Sequence, residues 1–212
     1  MGGEKSSGIQ NREMTTQTIL REGIPADWKY IESLRIKESN SLGFIPKNSY
    51  ISVLGKTSDK GRDRWKYARI NVVEDNGDLT GFCYATFFRE IAHIYQIVVQ
   101  EDARRWYRAT LLEDAVREDA KKYKCCGIVC RVAFDLESNF FWKAMGYIPM
   151  KEITSTWLNQ KESKSKRPLW LYYLPLDGVV PEEITKYDLL KYRRNKRNFY
   201  EPEQSDLLRE RT

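Results

Sequence analysis

Residues 93–147 read HIYQIVVQEDARRWYRATLLEDAVREDAKKYKCCGIVCRVAFDLESNFFWKAMGY. The first seven, His93 to Val99, are rich in β-branched residues and predict a strand. They run directly into Asp102–Lys122, where Ala103, Trp106, Tyr107, Ala109, Leu112, Ala115, Val116 and Ala120 sit at helical spacing. Gly127 is expected to end that helix, and Ile128–Phe134 (IVCRVAF) reads as a strand packed on both faces. A short helix from Glu137 to Met145 stops at Gly146. Strands alternating with helices in this way place the chain in the α/β class.

Upstream, residues 1–16 are polar without periodicity and are expected to be disordered. Thr18–Arg21 (TILR) predicts a strand, and Pro25-Ala26-Asp27 opens a helical pattern to about Glu38. Gly43 and Pro46 break the chain before a short second helix. Tyr67–Glu74 and Leu79–Phe88 are β-rich runs joined through Asn76-Gly77, the strongest hairpin signal in the chain. Downstream, Tyr147–Leu158 and Leu169–Leu174 predict two more strands with a charged loop between them. The expected order is β-α-(α)-β-β-β-α-β-α-β-β, within a domain spanning 17–176.

The 212 residues are 41% hydrophobic and 31% charged, enough to fill one core. No apolar run reaches the roughly 18–20 residues of a membrane span, and the polar N-terminus lacks the apolar stretch of a signal peptide. These features predict a cytoplasmic protein. Cys83, Cys125, Cys126 and Cys130 lack the paired spacing of a zinc site, and with one histidine in the chain no metal is expected. The net charge of +6 is concentrated, because residues 186–197 carry +5 and leave +1 for the other 200. That stretch lies in a basic C-terminal tail, 177–212. Pro181-Glu182-Glu183 opens a helical pattern there. Arg193, Arg194, Lys196 and Arg197 alternate with Tyr192, Phe199 and Tyr200, a pattern that fits phosphate contacts with stacking. It also fits a solvated tail docking on its own domain.

The pattern of residues 93–147 resembles the GNAT superfamily of acyl-CoA-dependent transferases. The similar elements are the strand HIYQIVV, the turn Arg104-Arg105-Trp106-Tyr107-Arg108-Ala109, the helix TLLEDAVREDAKKY, the strand IVCRVAF, and DLESNFFWKAMGY closing on Gly146-Tyr147. The resemblance implies a mixed central sheet of about six to seven strands flanked by helices. It also implies acetyl-CoA or a related acyl-CoA as cofactor, with the pyrophosphate on the backbone N–H groups of the 104–109 turn. Ile97, Val98 and Val99 would line the acyl end, with N–H groups of Ile97 and Val99 stabilising an oxyanion. The acceptor would be an amine on a small molecule or a macromolecule.

Three positions depart from the family pattern. Tyr107 stands where the family has its first turn glycine, and only Ala109 keeps a small side chain. Trp142 replaces a tyrosine that protonates the leaving thiolate, and Asp135 replaces an Asn. His93 falls where some members place a catalytic Glu, and a histidine can act as general base near neutral pH. Glu90 is a second base candidate, and Tyr95 flanks the site. His93 can also be a strand residue whose ring is satisfied locally, and the sequence leaves both open. Phage-encoded proteins that modify DNA bases resemble the same pattern and also lack its glycine. A nucleic-acid-modifying or nucleic-acid-binding protein, or a binding module without catalysis, therefore stands beside the N-acyltransferase reading.

Overall fold

The structure is a computed structural model that describes residues 17–58, 64–88, 90–105, 107–154 and 167–178. Residues 1–16, Trp106, and Arg193, Arg194, Lys196 and Arg197 of the basic segment lie outside the described residues, as does most of the charged loop after residue 154. The chain divides into a unit ending at Asp177 and a second unit from Gly178; the architecture below is that of the first.

Thr18–Glu22 forms strand β1, and Pro25–Asp27 is a short 3-10 turn leading into helix α1, Trp28–Lys37. Helix α2 spans Lys47–Leu54 just after Pro46. Strands β2 (Ala68–Asp75) and β3 (Asp78–Phe88) form the expected hairpin, with Asn76 at φ 54° and Gly77 at φ 92°. Both positive values suit the primed turn whose twist matches the strands. Strand β4 is Ile91–Val99, helix α3 Arg108–Lys122, strand β5 Gly127–Ala133, helix α4 Ser138–Ala144, β6 Ile148–Thr154 and β7 Pro168–Pro175. The seven strands make one sheet in the order β1-β2-β3-β4-β5-β7-β6. Only β4 and β5 are parallel neighbours, as a crossover through α3 requires.

Period-two alternation gives the sheet two apolar faces. On one, Ile31, Leu34, Tyr50 and Val53 of α1 and α2 pack on Ile70, Val72, Phe82 and Val98. On the other, Leu112, Val116 and Ala120 of α3 and Trp142 of α4 pack on Cys83, Phe87, Ile94 and Ile128. Burial raises the thiols here, that of Cys125 to about 11, so these cysteines are protonated core groups. No helix among the described residues is long and apolar enough to cross a membrane.

Helix α3 ends at Lys122 as expected, but its start and the residue that stops it differ from the sequence expectation. The helix begins at Arg108 and not at Asp102, because Glu101–Ala103 is a 3-10 turn and Arg105 and Tyr107 take φ of 69° and 61°. Apolar spacing reports side-chain direction, which a 3-10 turn nearly reproduces, and it is blind to two left-handed residues. At the other end, Lys124 at φ 57° closes the helix, with Cys125 N–H donating to Ala120 O at 2.8 Å and Lys124 N–H to Lys121 O at 3.0 Å. That is a Schellman stop with lysine in the glycine position. Gly127 is instead the first residue of β5.

Candidate functional site

The site originates in one extra residue and one interrupted ladder. Along β3 and β4, Tyr84 faces Gln96 while Ala85 faces Ile94, so Tyr95 is a bulge. The bulge turns the Tyr95 and Gln96 side chains to the same face, toward α1 and α2. Strands β4 and β5 pair only from Ile91↔Gly127 to Ile94↔Cys130. Both continue, to Val99 and to Ala133, so a gap opens between them.

Backbone direction then identifies the donors in that gap. Gln100 N–H reaches back to Thr80 O at 2.8 Å, and Val98 O lies against Gly81, so residues 98 and 100 face β3. Alternation turns the N–H groups of Ile97 and Val99 the other way, into the gap. Val99 O confirms that direction by accepting the Arg104 Nε–H at 3.1 Å. Val98 differs from Ile97 and Val99, because its backbone faces β3 and its side chain lies in the α1/α2 core.

Across the gap stands the start of α3. The N–H groups of Arg108, Ala109 and Thr110 are in the first helical turn, where no intrahelical acceptor exists. The side chain of the N-cap residue, Tyr107, makes no capping hydrogen bond. Arg105 and Tyr107, just before them, both take left-handed backbone. Tyr107 is 79% exposed. Two of the three arginines have protein partners. Arg104 bonds Glu38 at 2.7 Å, and Arg108 grips Asp75 at 2.9 and 2.8 Å. Burial would raise the Asp75 carboxyl, but hydrogen bonds from Arg108, Thr18 and Thr80 hold it below the usual carboxylate range. Exposed Arg105 makes no ion pair among the described residues, so it and the backbone donors are what an anion would meet.

His93 lies on β4 two residues before the bulge, with its ring 4.2 Å from that of Tyr95. These two are brought together beside the gap. Glu90 is not: it is exposed in the turn before β4, at the end where β4 and β5 are still paired. Five residues of strand, roughly 15 Å, separate it from the bulge. Asp135 meets Arg167 in a bidentate pair at 3.0 and 2.8 Å, which lowers its carboxyl, and Arg167 also donates to Asn40 O at 2.7 Å. Trp142 is 4% exposed in the α3/α4 core, edge-on to Phe141 and Tyr147.

Sequence reasoning missed Glu113. This α3 carboxylate is fully buried, accepts the Tyr147 hydroxyl at 2.7 Å and pairs with Arg117 at 2.6 Å. Burial raises its pKa against both hydrogen bonds. Its spacing from the apolar residues Val116 and Ala120, three and seven positions on, was the available signal.

Comparison with known proteins agrees with this geometry. The profile of the Acetyltransferase (GNAT) family matches residues 46–147. No curated protein matches the chain by sequence. Among solved structures, yncA from Salmonella typhimurium with its cofactor acetyl-CoA is 12% identical, with a TM-score of 0.60 over 77% of this chain and 96% of that one. The ribosomal-protein-alanine N-acetyltransferase from Brucella melitensis is 15% identical at 0.60, over 74% and 99%. NAA60 from Arabidopsis thaliana, in complex with a bisubstrate analogue, is 14% identical at 0.60, over 76% and 100%. At these identities the structures speak for the fold alone. The family profile lies across the bulged strand, the gap and the helix start, so residues 46–147 match the GNAT acetyltransferase family and the fold is GNAT-like.

Proposed function

We propose that the protein is an N-acyltransferase that moves an acetyl group from acetyl-CoA to an amine by direct attack in a ternary complex. The observation that carries this reading is the gap between β4 and β5, with the N–H groups of Ile97 and Val99 turned into it on one side and the start of α3 on the other. The cofactor supplies an activated acyl thioester. The N–H groups of Arg108, Ala109 and Thr110, with Arg105, would hold its phosphates. Left-handed backbone at Tyr107 keeps the form of the turn that glycine usually provides. At the other end, Ile97 and Val99 N–H groups stabilise negative charge developing on the acyl oxygen. His93 accepts the proton of the attacking amine, and the Tyr95 ring against it limits the positions of the imidazole. Orientation of the two substrates in one gap provides much of the rate.

Thermal unfolding with and without acetyl-CoA tests the reading. Ligand several hundred-fold above its dissociation constant should stabilise the protein by about 3–4 kcal/mol. In Ala109→Glu a carboxylate stands among the donors, and the stabilisation should disappear. A wild-type protein with no shift at millimolar acetyl-CoA would refute the proposal.

Tyr107→Gly makes a second prediction. A left-handed non-glycine residue costs about 1 kcal/mol, and glycine adds about as much unfolded-state entropy. Stability should therefore change by less than about 1 kcal/mol, while acetyl-CoA binds several-fold more tightly through closer backbone approach. Calorimetric titration of both proteins checks this; equal or weaker binding by the glycine variant would count against the phosphate site.

A further inference from the structure

Beyond the end of α1, the chain from Glu38 to Gly43 is tied to both rims of the gap. On the β4 rim, Arg104 donates its Nε–H to Val99 O at 3.1 Å and its Nη2–H to Glu38 at 2.7 Å. Two residues on, Asn40 O accepts from Arg167 Nη1 at 2.7 Å. That arginine stands at the end of β5, where its fork holds Asp135 and Phe134 N–H donates to Pro168 O. At Gly43 the chain is back on β4, its carbonyl accepting Gln96 Nε2–H at 2.5 Å, while Gln96 Oε1 accepts the Tyr50 hydroxyl. The segment thus leaves β4, reaches β5 and returns. Because β4 and β5 are parallel, Val99 and Asp135 mark the same end of the gap, the wide end beyond Ile94↔Cys130. Two residues of chain span at most about 7 Å, and the two arginine side chains complete the crossing.

The two rims do not hold the segment equally. On the β4 side Gln96 is buried, Glu38 is largely shielded, and Leu42 and Ile45 pack on the α1/α2 core. On the β5 side the tie is one guanidinium, and its pair with Asp135 is exposed, at 38% and 67% for the two side chains. Exposed ion pairs of this kind contribute little to global stability. Ser39, Asn40 and Ser41 are themselves exposed, so lifting them away from β5 uncovers no core. Local opening therefore starts at the Arg167 end, with Leu42 and Ile45 as the fixed end.

We propose that Glu38–Gly43 is a strap across the wide end of the gap and Arg167 its latch, so that a bulky amine enters only when Asn40 lifts from Arg167. The statement about amines rests on the acyl-transfer reading; the strap does not. Hydrogen exchange of the full chain without cofactor tests the strap. Ser39 N–H donates to Ile36 O at 3.2 Å and Ser41 N–H to Glu38 O at 2.9 Å, so the protection of these amides reports closure. In Arg167→Ala both should exchange roughly fivefold faster, with α1 and α2 unchanged. Arg167→Lys, which keeps the charge and loses the fork, should fall between the two. Unchanged exchange at Ser39 and Ser41, or an increase spread through α1 and α2, would overturn the strap. Acetylation by acetyl-CoA then shows what the strap excludes. Benzylamine and adamantylmethylamine carry the same aminomethyl group on a flat and on a globular body. Wild type should favour benzylamine, and Arg167→Ala should move the kcat/KM ratio roughly fivefold toward adamantylmethylamine. The same ratio in both proteins would overturn the latch. Absence of the acetyl-CoA thermal shift, with faster Ser39 and Ser41 exchange in Arg167→Ala, would sink acyl transfer and leave the strap standing.

Discussion

Glu113→Ala is expected to lower the unfolding free energy by about 3 kcal/mol, from an unsatisfied buried hydroxyl plus a cavity. The hydroxyl is that of Tyr147, which loses its acceptor, and the cavity opens where α3 meets α4 and β6. Arg117 suffers less, because it is partly exposed and keeps its bond to Met145 O at 2.7 Å. Tyr147→Phe should cost about 2 kcal/mol, since it leaves a buried carboxylate short of a donor. The double variant should fall short of the sum, because the two residues share one interaction. Urea unfolding of the three proteins measures the cycle, and strict additivity would show that the 2.7 Å bond contributes nothing.

The same carboxylate carries a pH dependence with a definite sign. Burial raises the Glu113 pKa in the folded state above its unfolded value. The folded protein therefore holds that proton more tightly. Its contribution is complete below the unfolded carboxyl range, about 4.3, and is lost as pH rises through the raised folded value. Wild type should accordingly lose stability relative to Glu113→Gln as pH climbs from 4.5 toward neutrality, because glutamine does not titrate. A gap between the two that is flat over that range would contradict the assignment.

Gly127→Ala should be comparably damaging, at about 3 kcal/mol of overpacking strain. A Cβ there would fall 2.1 Å from Cε2 and 2.4 Å from Cζ of Tyr173, a ring with no exposed surface. Gly127 and Tyr173 lie on the neighbouring strands β5 and β7, and their backbones are held by seven register pairs, so neither can withdraw. The ring must leave its rotamer or the sheet must distort. In a Tyr173→Leu background the same substitution should cost about 1 kcal/mol or less, a coupling well within what touching residues show. A full cost in that background would mean that the clash is with something other than the ring.

The sequence disclosed the scaffold where side-chain chemistry and backbone shape coincide. Asn76-Gly77 specified its turn because those residues tolerate positive φ, and Gly146 ended α4 for the same reason. His93–Val99 read as a strand because β-branching marks one. What stayed illegible is backbone geometry that unfavourable residues adopt. Lys124, Arg105 and Tyr107 take left-handed conformations that their side chains disfavour, so the sequence reading started α3 several residues early and gave its stop to Gly127. The Tyr95 bulge has no compositional mark, because an extra residue in a ladder is a property of two strands. Resemblance pointed to the turn and to the N–H groups of Ile97 and Val99. It could not show that Arg104 and Arg108 are held by Glu38 and Asp75.

Asp75 has a consequence of a different kind. One carboxylate accepts the Thr18 hydroxyl at 2.8 Å, the Thr80 hydroxyl at 3.2 Å and the Arg108 fork. The outermost strand, the tip of the hairpin and the first residue of α3 thus close a single knot. Fraying of β1 or of the helix start withdraws a neighbour from that knot and exposes a charge the others had shielded. The three segments are consequently one cooperative unit of local opening, and the region that would grip an anion can loosen only when the edge of the sheet loosens with it.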